Sequence, residues 1–145
     1  MTVVVGVDGS PRSRGALRLA AQEARWRQAP LVAVAAYEPP LGTPVGGYPA
    51  ATMHTRSEER TTAESALRDT VSDELGEQAG QTGLHVSAGL IGHVIVEAAR
   101  QTHAQLIVLA SSAGKSVLPG TASQYVLLKA ECPVMIVLGD GTGAE

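Results

Sequence analysis

Asp8, Gly9 and Ser10 stand directly behind an apolar run, and Gly120 and Thr121 close a loop that leaves another one. A carboxylate at the carboxyl end of a buried strand can accept hydrogen bonds from an amino or hydroxyl group of a ligand. Asp8 also suits a plain structural role, an Asx-turn or support for a cap at Ser10, and spacing leaves both readings open. Gly9 permits close backbone approach in either case. The second stretch, 106–121, reads LIVLASSAGKSVLPGT. Its first four residues form the continuous apolar run of a strand covered on both faces, and small residues then make a pliable loop. Thr121 is an N-cap type, and Ala122, Val126 and Ala130 follow at helical spacing. A helix N-terminus holds an anion through its unpaired N–H groups and its dipole. In an open parallel sheet, ligands sit at the carboxyl ends of strands where the strand order reverses. This loop is therefore the first candidate binding site.

Other constellations fail on spacing. Gly114, Lys115 and Ser116 resemble half of a P-loop, but Leu109 stands where its first glycine belongs, and Val117, Leu118 and Pro119 delay the helix. Lys115 is read as a solvated loop lysine. His54, His85, His93 and His103 show no H-x3-H or HExxH spacing, so no metal site is expected. His93 and Glu97 lie four apart on the third helix and could pair on its surface. No GxSxG turn presents a serine nucleophile, so no catalytic residue is assigned.

Whole-chain numbers narrow the classes further. The 145 residues suit one domain, placed at 1–138, with the tail 139–145 (GDGTGAE) expected to fray. With three Tyr, one Trp and no Phe, the core must be aliphatic and alanine-rich. A formal charge of −3 argues against a nucleic-acid binder that works by neutralising phosphates. Cys132 is the sole cysteine, so no intrachain disulfide forms, and it is expected as a small buried hydrophobe beside Pro133. No apolar stretch is long enough for a signal-peptide core or a membrane span, which implies a cytoplasmic protein.

The elements that must position these residues follow from periodicity. Residues 2–7 and 31–37 read as strands, with a helix between them that starts with Ser10 as N-cap and Pro11 at its first position. Leu17, Ala20, Ala21 and Ala24 form its inner face, and Arg14, Arg18 and Arg25 are taken as solvated. Residues 38–55 contain four prolines and three glycines and are expected as a loop or cover. A second helix is expected from Thr55 or Ser57 to about Gln78, with Ala63, Ala66, Leu67 and Val71 inward, ended by Gly80 and Gly83. Residues 84–90 alternate and suggest an edge strand. A third helix carries Ile95, Ala98, Ala99 and Thr102 inward; a fourth strand, a fourth helix to about Lys129 and a last strand at 134–138 follow. Strict alternation implies an α/β fold with a parallel sheet covered on both faces.

In order and spacing, three short motifs resemble the universal stress protein family over nearly the whole chain. Val5-Gly6-Val7-Asp8-Gly9-Ser10 is similar to its opening strand and VDGS turn, 105–109 to its DLIV strand, and Glu131-Cys132-Pro133-Val134 to its CPV approach to the final strand. The resemblance implies a flavodoxin-like three-layer sandwich, of the adenine nucleotide alpha hydrolase-like type, with a five-stranded parallel sheet in order 3-2-1-4-5. It also implies a homodimer through the last strand, where Val134, Met135, Ile136, Val137 and Leu138 would otherwise be an unguarded apolar edge.

In ATP-binding members, the aspartate after the first strand and backbone at the end of the second hold adenine and ribose; those positions resemble Asp8 and Ala36. Ribose and phosphates are held by G-x2-G-x9-G-[ST], whose end matches Gly120 and Thr121. Ala110 and Ala113 stand at the first two glycine positions, and six residues, 114–119, replace the nine spacers. The added Cβ atoms and the shortened arc should cost the outer phosphates most, leaving the adenine half. The resemblance thus implies a non-enzymatic stress protein that binds an adenine nucleotide (ATP, AMP or cyclic AMP) weakly through Asp8, Gly9, Ser10, Ala36, Ala110, Ala113, Gly120, Thr121 and Ala122. The alternative is a dimeric scaffold for protein partners that binds no nucleotide. An adenylating enzyme would need an SGGxDS loop, which VGVDGS lacks.

Overall fold

The computed structural model describes residues 1–37, 49–111 and 121–138, with 49–56 described by backbone alone. Five strands, β1 (Val3–Gly6), β2 (Leu31–Tyr37), β3 (Gly83–Ala88), β4 (Leu106–Ala110) and β5 (Val134–Val137), form one parallel sheet in order β3-β2-β1-β4-β5. Four helices, α1 (Pro11–Arg27), α2 (Pro49–Leu75), α3 (Ile91–Gln101) and α4 (Thr121–Lys129), cover its two faces. The covered parallel sheet expected from the alternation, and the flavodoxin-like α/β sandwich of order 3-2-1-4-5 that the resemblance implies, are therefore the fold. The chain leaves β1 in one direction through β2 and β3, then returns to β1's other side for β4. The strand order thus reverses at β1.

Burial explains the layers. Val3, Val5, Val7 and Val108 face α1 and α2 with Leu17, Ala20, Leu67 and Val71, while Val4, Val34, Ile107 and Leu109 face α3 and α4 with Ile95, Ala98 and Val126. Successive strand residues alternate between the two cores, so the central strands need apolar side chains on both faces. Edge strand β3 shows the opposite pattern, with only Val86 buried. Its alternation in the sequence is that difference written out.

Several expectations are corrected. The helix assigned from Thr55 or Ser57 already begins at Pro49, so 49–55 belong to α2, while 38–48 lie outside the described residues. It stops at Leu75 instead of Gln78, because Gly76 takes φ +55°, a left-handed turn that the α-helix cannot absorb, and a 3-10 segment follows over Gly76–Gln81. Arg14 and Arg18 are not merely solvated: their Nη1 atoms reach Glu74 of α2 at 3.3 and 2.6 Å, and Arg25 donates to Gln78. His93 does not pair with Glu97. Its ring stacks on Tyr125 of α4 with centroids 3.8 Å apart, and Glu97 accepts from Gln101. The expected tail, 139–145, lies outside the described residues.

Candidate functional site

The turn after β1 is built by short hydrogen bonds. Ser10 caps α1, its hydroxyl accepting from the Ser13 N–H at 3.2 Å, with Pro11 at the first helical position. Asp8 closes an Asx-turn, Oδ1 accepting from the Ser10 N–H at 2.9 Å. The Ser13 hydroxyl accepts from the Asp8 N–H and donates to the Ser10 carbonyl, both at 3.1 Å. Gly9 holds φ +84°, a conformation that side chains disfavour. Partial desolvation raises the Asp8 carboxyl, but hydrogen bonding by Ser10 through hydroxyl and backbone, and then by Ser13, outweighs it, so the group lies below its ordinary 3.8. Asp8 is a carboxylate at neutral pH.

Two cavities flank this carboxylate. The larger, about 210 Å³, lies on the α2 side between Val7, Asp8, Gly9, Ala35, Ala36 and the helical face Ala63, Ala66, Leu67, Thr70. Those α2 residues recur at i, i+3, i+4 and i+7, one stripe of a helix. The smaller, about 110 Å³, lies between β1, β4 and α4, with Asp8, Ile95, Leu109, Ala110, Ala122 and Ser123 in its walls. Gly6 makes room for it, since a Cβ there would meet Ile95 Cδ1 at 2.7 Å. At the outer end of β4, Arg12 Nη1 donates to the Ser111 carbonyl at 3.4 Å.

Of the residues singled out by sequence, Asp8, Gly9, Ala36, Ala110 and Ala122 thus come together around adjoining cavities. Ser10 serves as a cap, and Thr121 is the exposed first residue of α4. Ala113, Gly120 and Lys115 lie outside the described residues. Sequence reasoning missed Thr70, Ile91 and Ser123. Ala63, Ala66 and Leu67 were read as an inward helical face, a pattern that does not separate a core wall from a cavity wall. Cys132 is half-buried; burial pushes its thiol up and the Glu131 charge adds to this, so it is a poor nucleophile. Among the described residues, no group of three or more His, Cys, Asp or Glu side chains could hold a metal, and no helix is long and apolar enough to cross a membrane.

Comparison with known proteins places the chain in a family. Residues 1–137 match the family model for the universal stress protein family. The chain belongs to that family. A universal stress protein from Mycolicibacterium smegmatis is 31% identical over 148 residues, which takes in 99% of this chain and 50% of that protein. The chain therefore spans half the length of that curated relative. A universal stress protein from Archaeoglobus fulgidus solved in complex with dAMP is 28% identical, with TM-score 0.58 over 94% of this chain and 97% of that one. A universal stress protein from Lactobacillus plantarum, 24% identical, has the same fold with TM-score 0.71 over 94% and 97% of the two chains.

Proposed function

We propose that this universal stress protein binds an adenine nucleotide without turning it over, with the nucleoside spanning the two cavities that meet at Asp8. The observation that carries this reading is the position of Asp8: this one residue lines both cavities at the end of β1, where the strand order reverses. The Archaeoglobus relative bound to dAMP supports an AMP-type ligand. The alanine-walled α2 side suits a flat apolar ring, and the narrower side suits a sugar, whose hydroxyls an ionised Asp8 can accept from. Arg12 and the α4 N-terminus supply the positive potential on the β4 side. Ala110 adds a Cβ where the family pattern has glycine, which favours few phosphates over three. Magnesium enters only with the nucleotide, and the protein works in the cytoplasm. Calorimetric titration with ATP, AMP and cyclic AMP tests the reading; heats no different from buffer for all three at millimolar nucleotide would end it.

A second reading, a dimeric scaffold, draws on β5. It is an edge of the sheet, three of its four residues are only half-buried, and Leu138, Leu128 and Leu127 beside it are 70%, 81% and 49% exposed. A second copy of the chain, related by a two-fold axis, would pair this edge and cover the leucines. Light scattering tests it, with a monomer at micromolar concentration as the contrary result. Dimerisation without nucleotide binding would leave protein partners as the function.

A further inference from the structure

Four hydroxyl side chains are buried in the described part of the molecule: Ser13, Thr70, Ser111 and Ser123. Ser13 is engaged in the Asp8 turn, and Ser111 is engaged as well. Thr70 differs. It is 6% exposed, yet it makes no hydrogen bond among the described residues. The ordinary recourse of a helical threonine is the carbonyl four residues back. Thr61 takes it to Ser57 at 3.0 Å, Thr82 to Gln78 at 3.0 Å, and Thr102 to Ala98 at 2.8 Å. Thr70 does not take it. Among the described residues no fully enclosed side-chain nitrogen or oxygen lacks a partner, so the Thr70 oxygen must touch open space. The space that Thr70 lines is the α2-side cavity.

Open space beside the Thr70 oxygen lets water be its partner when no ligand is present, and valine would fill the same volume with no hydrogen bond to satisfy. A ligand atom that completes the hydrogen bond gives the hydroxyl a use. The other walls, Val7, Ala35, Ala36, Ala63, Ala66 and Leu67, offer apolar contact from their side chains, and Asp8 stands where the two cavities join. We propose that the Thr70 hydroxyl recognises the hydrogen-bonding edge of the nucleoside base, deep in the α2-side cavity, while Asp8 faces the sugar. This rests on the nucleotide reading above and adds its specificity-determining residue. A hydroxyl both donates and accepts, which matches a base edge that presents ring nitrogens beside an exocyclic amine.

The test is calorimetric titration of the full chain with adenosine, for the wild type, Thr70→Val and Thr70→Ser. Valine keeps the shape and removes the hydroxyl; serine keeps the hydroxyl. Adenosine affinity is expected to fall about tenfold in Thr70→Val and to stay within about threefold of wild type in Thr70→Ser, the size of one lost hydrogen bond. The ligand-free Thr70→Val protein should melt at or above the wild-type temperature, so that lost affinity is not lost folding. A wild type that binds adenosine and a valine variant that binds it equally well would overturn the role of Thr70 alone. A wild type that binds none of adenosine, ATP, AMP and cyclic AMP at millimolar concentration would overturn both this role and the nucleotide reading; where AMP binds and adenosine does not, the same comparison of variants is read with AMP.

Discussion

The two cavities beside Asp8 differ in what makes their room. On the α2 side the space comes from alanines: Ala35 and Ala36 on β2, and Ala63 and Ala66 on the helix above them. On the α4 side Ile95 and Leu109 crowd the strand, and Gly6 with Ala110, Ala122 and Ser123 leaves a gap about half the volume of the other. The narrow side has less to spare, since a single added methyl group at Gly6 would already meet Ile95 Cδ1 at 2.7 Å. The narrow side is also the one where Ala110 replaces a glycine of the family pattern. The α2 side is thus the roomier of the two.

The largest effect should come from the residue the two sides share. Asp8→Ala removes an ionised acceptor from both cavities and should weaken adenosine and AMP alike by at least tenfold, corresponding to about 1.5–3 kcal/mol for a hydrogen bond to a charged group. Titration calorimetry reads it, with circular dichroism confirming the fold. Unchanged affinity would mean that the two cavities do not act as one site.

Next is Gly6→Ala, which attacks the narrow side alone. The new Cβ would lie 2.7 Å from Ile95 Cδ1 and 3.2 Å from Leu109 Cδ2, and both atoms are ends of flexible side chains. The cost should therefore fall at the low end for overpacking, about 1 kcal/mol, measured by urea unfolding. No loss of stability would show that Ile95 has room to retreat and that the narrow side is not tight.

A smaller effect concerns how the α2 wall is held against α1. Glu74 is bound by Arg18 and Arg14, and the Arg18 hydrogen bond, opposed by burial, holds its carboxyl below the ordinary 4.5. A carboxyl depressed in the folded state stabilises above its unfolded pKa and loses that contribution as pH falls through its folded value. Glu74→Gln should thus cost up to about 1 kcal/mol at pH 7, since both guanidinium groups are partly exposed. The gap between the two proteins should shrink as pH drops below 4.5, which acid titration of urea stability measures. A gap independent of pH would assign the effect to packing.

These cases also mark what could be read from the chain. The Ser10 cap, Pro11 and the Asp8 turn were legible because their partners lie within five residues. The edge position of β3 was legible because its alternation records one-sided burial. Contacts between distant residues were not: Arg18 meets Glu74 across 56 positions, and nothing local to either residue separates that pair from two solvated charges. The start of α2 was hidden by composition, since prolines and glycines just upstream read as loop, although proline at the first position of a helix costs no hydrogen bond. Thr70 was invisible for a further reason. What distinguishes it is a bond it does not make.

Ser123 offers the narrow side's counterpart, with the smallest expected change in stability. It is 3% exposed, lines the smaller cavity and makes no hydrogen bond among the described residues. In Ser123→Ala two terms oppose each other: relief of a desolvated hydroxyl and loss of the contacts its oxygen makes. They should cancel to within about 0.5 kcal/mol in the ligand-free protein, so the thermal midpoint should scarcely move. If the sugar occupies the narrow side, its hydroxyls are the partners Ser123 lacks, and adenosine should bind about threefold more weakly to the alanine variant. A variant clearly less stable than wild type without ligand would instead mean that the protein's own atoms already satisfy this hydroxyl, and the narrow cavity would then be packing and not a sugar site.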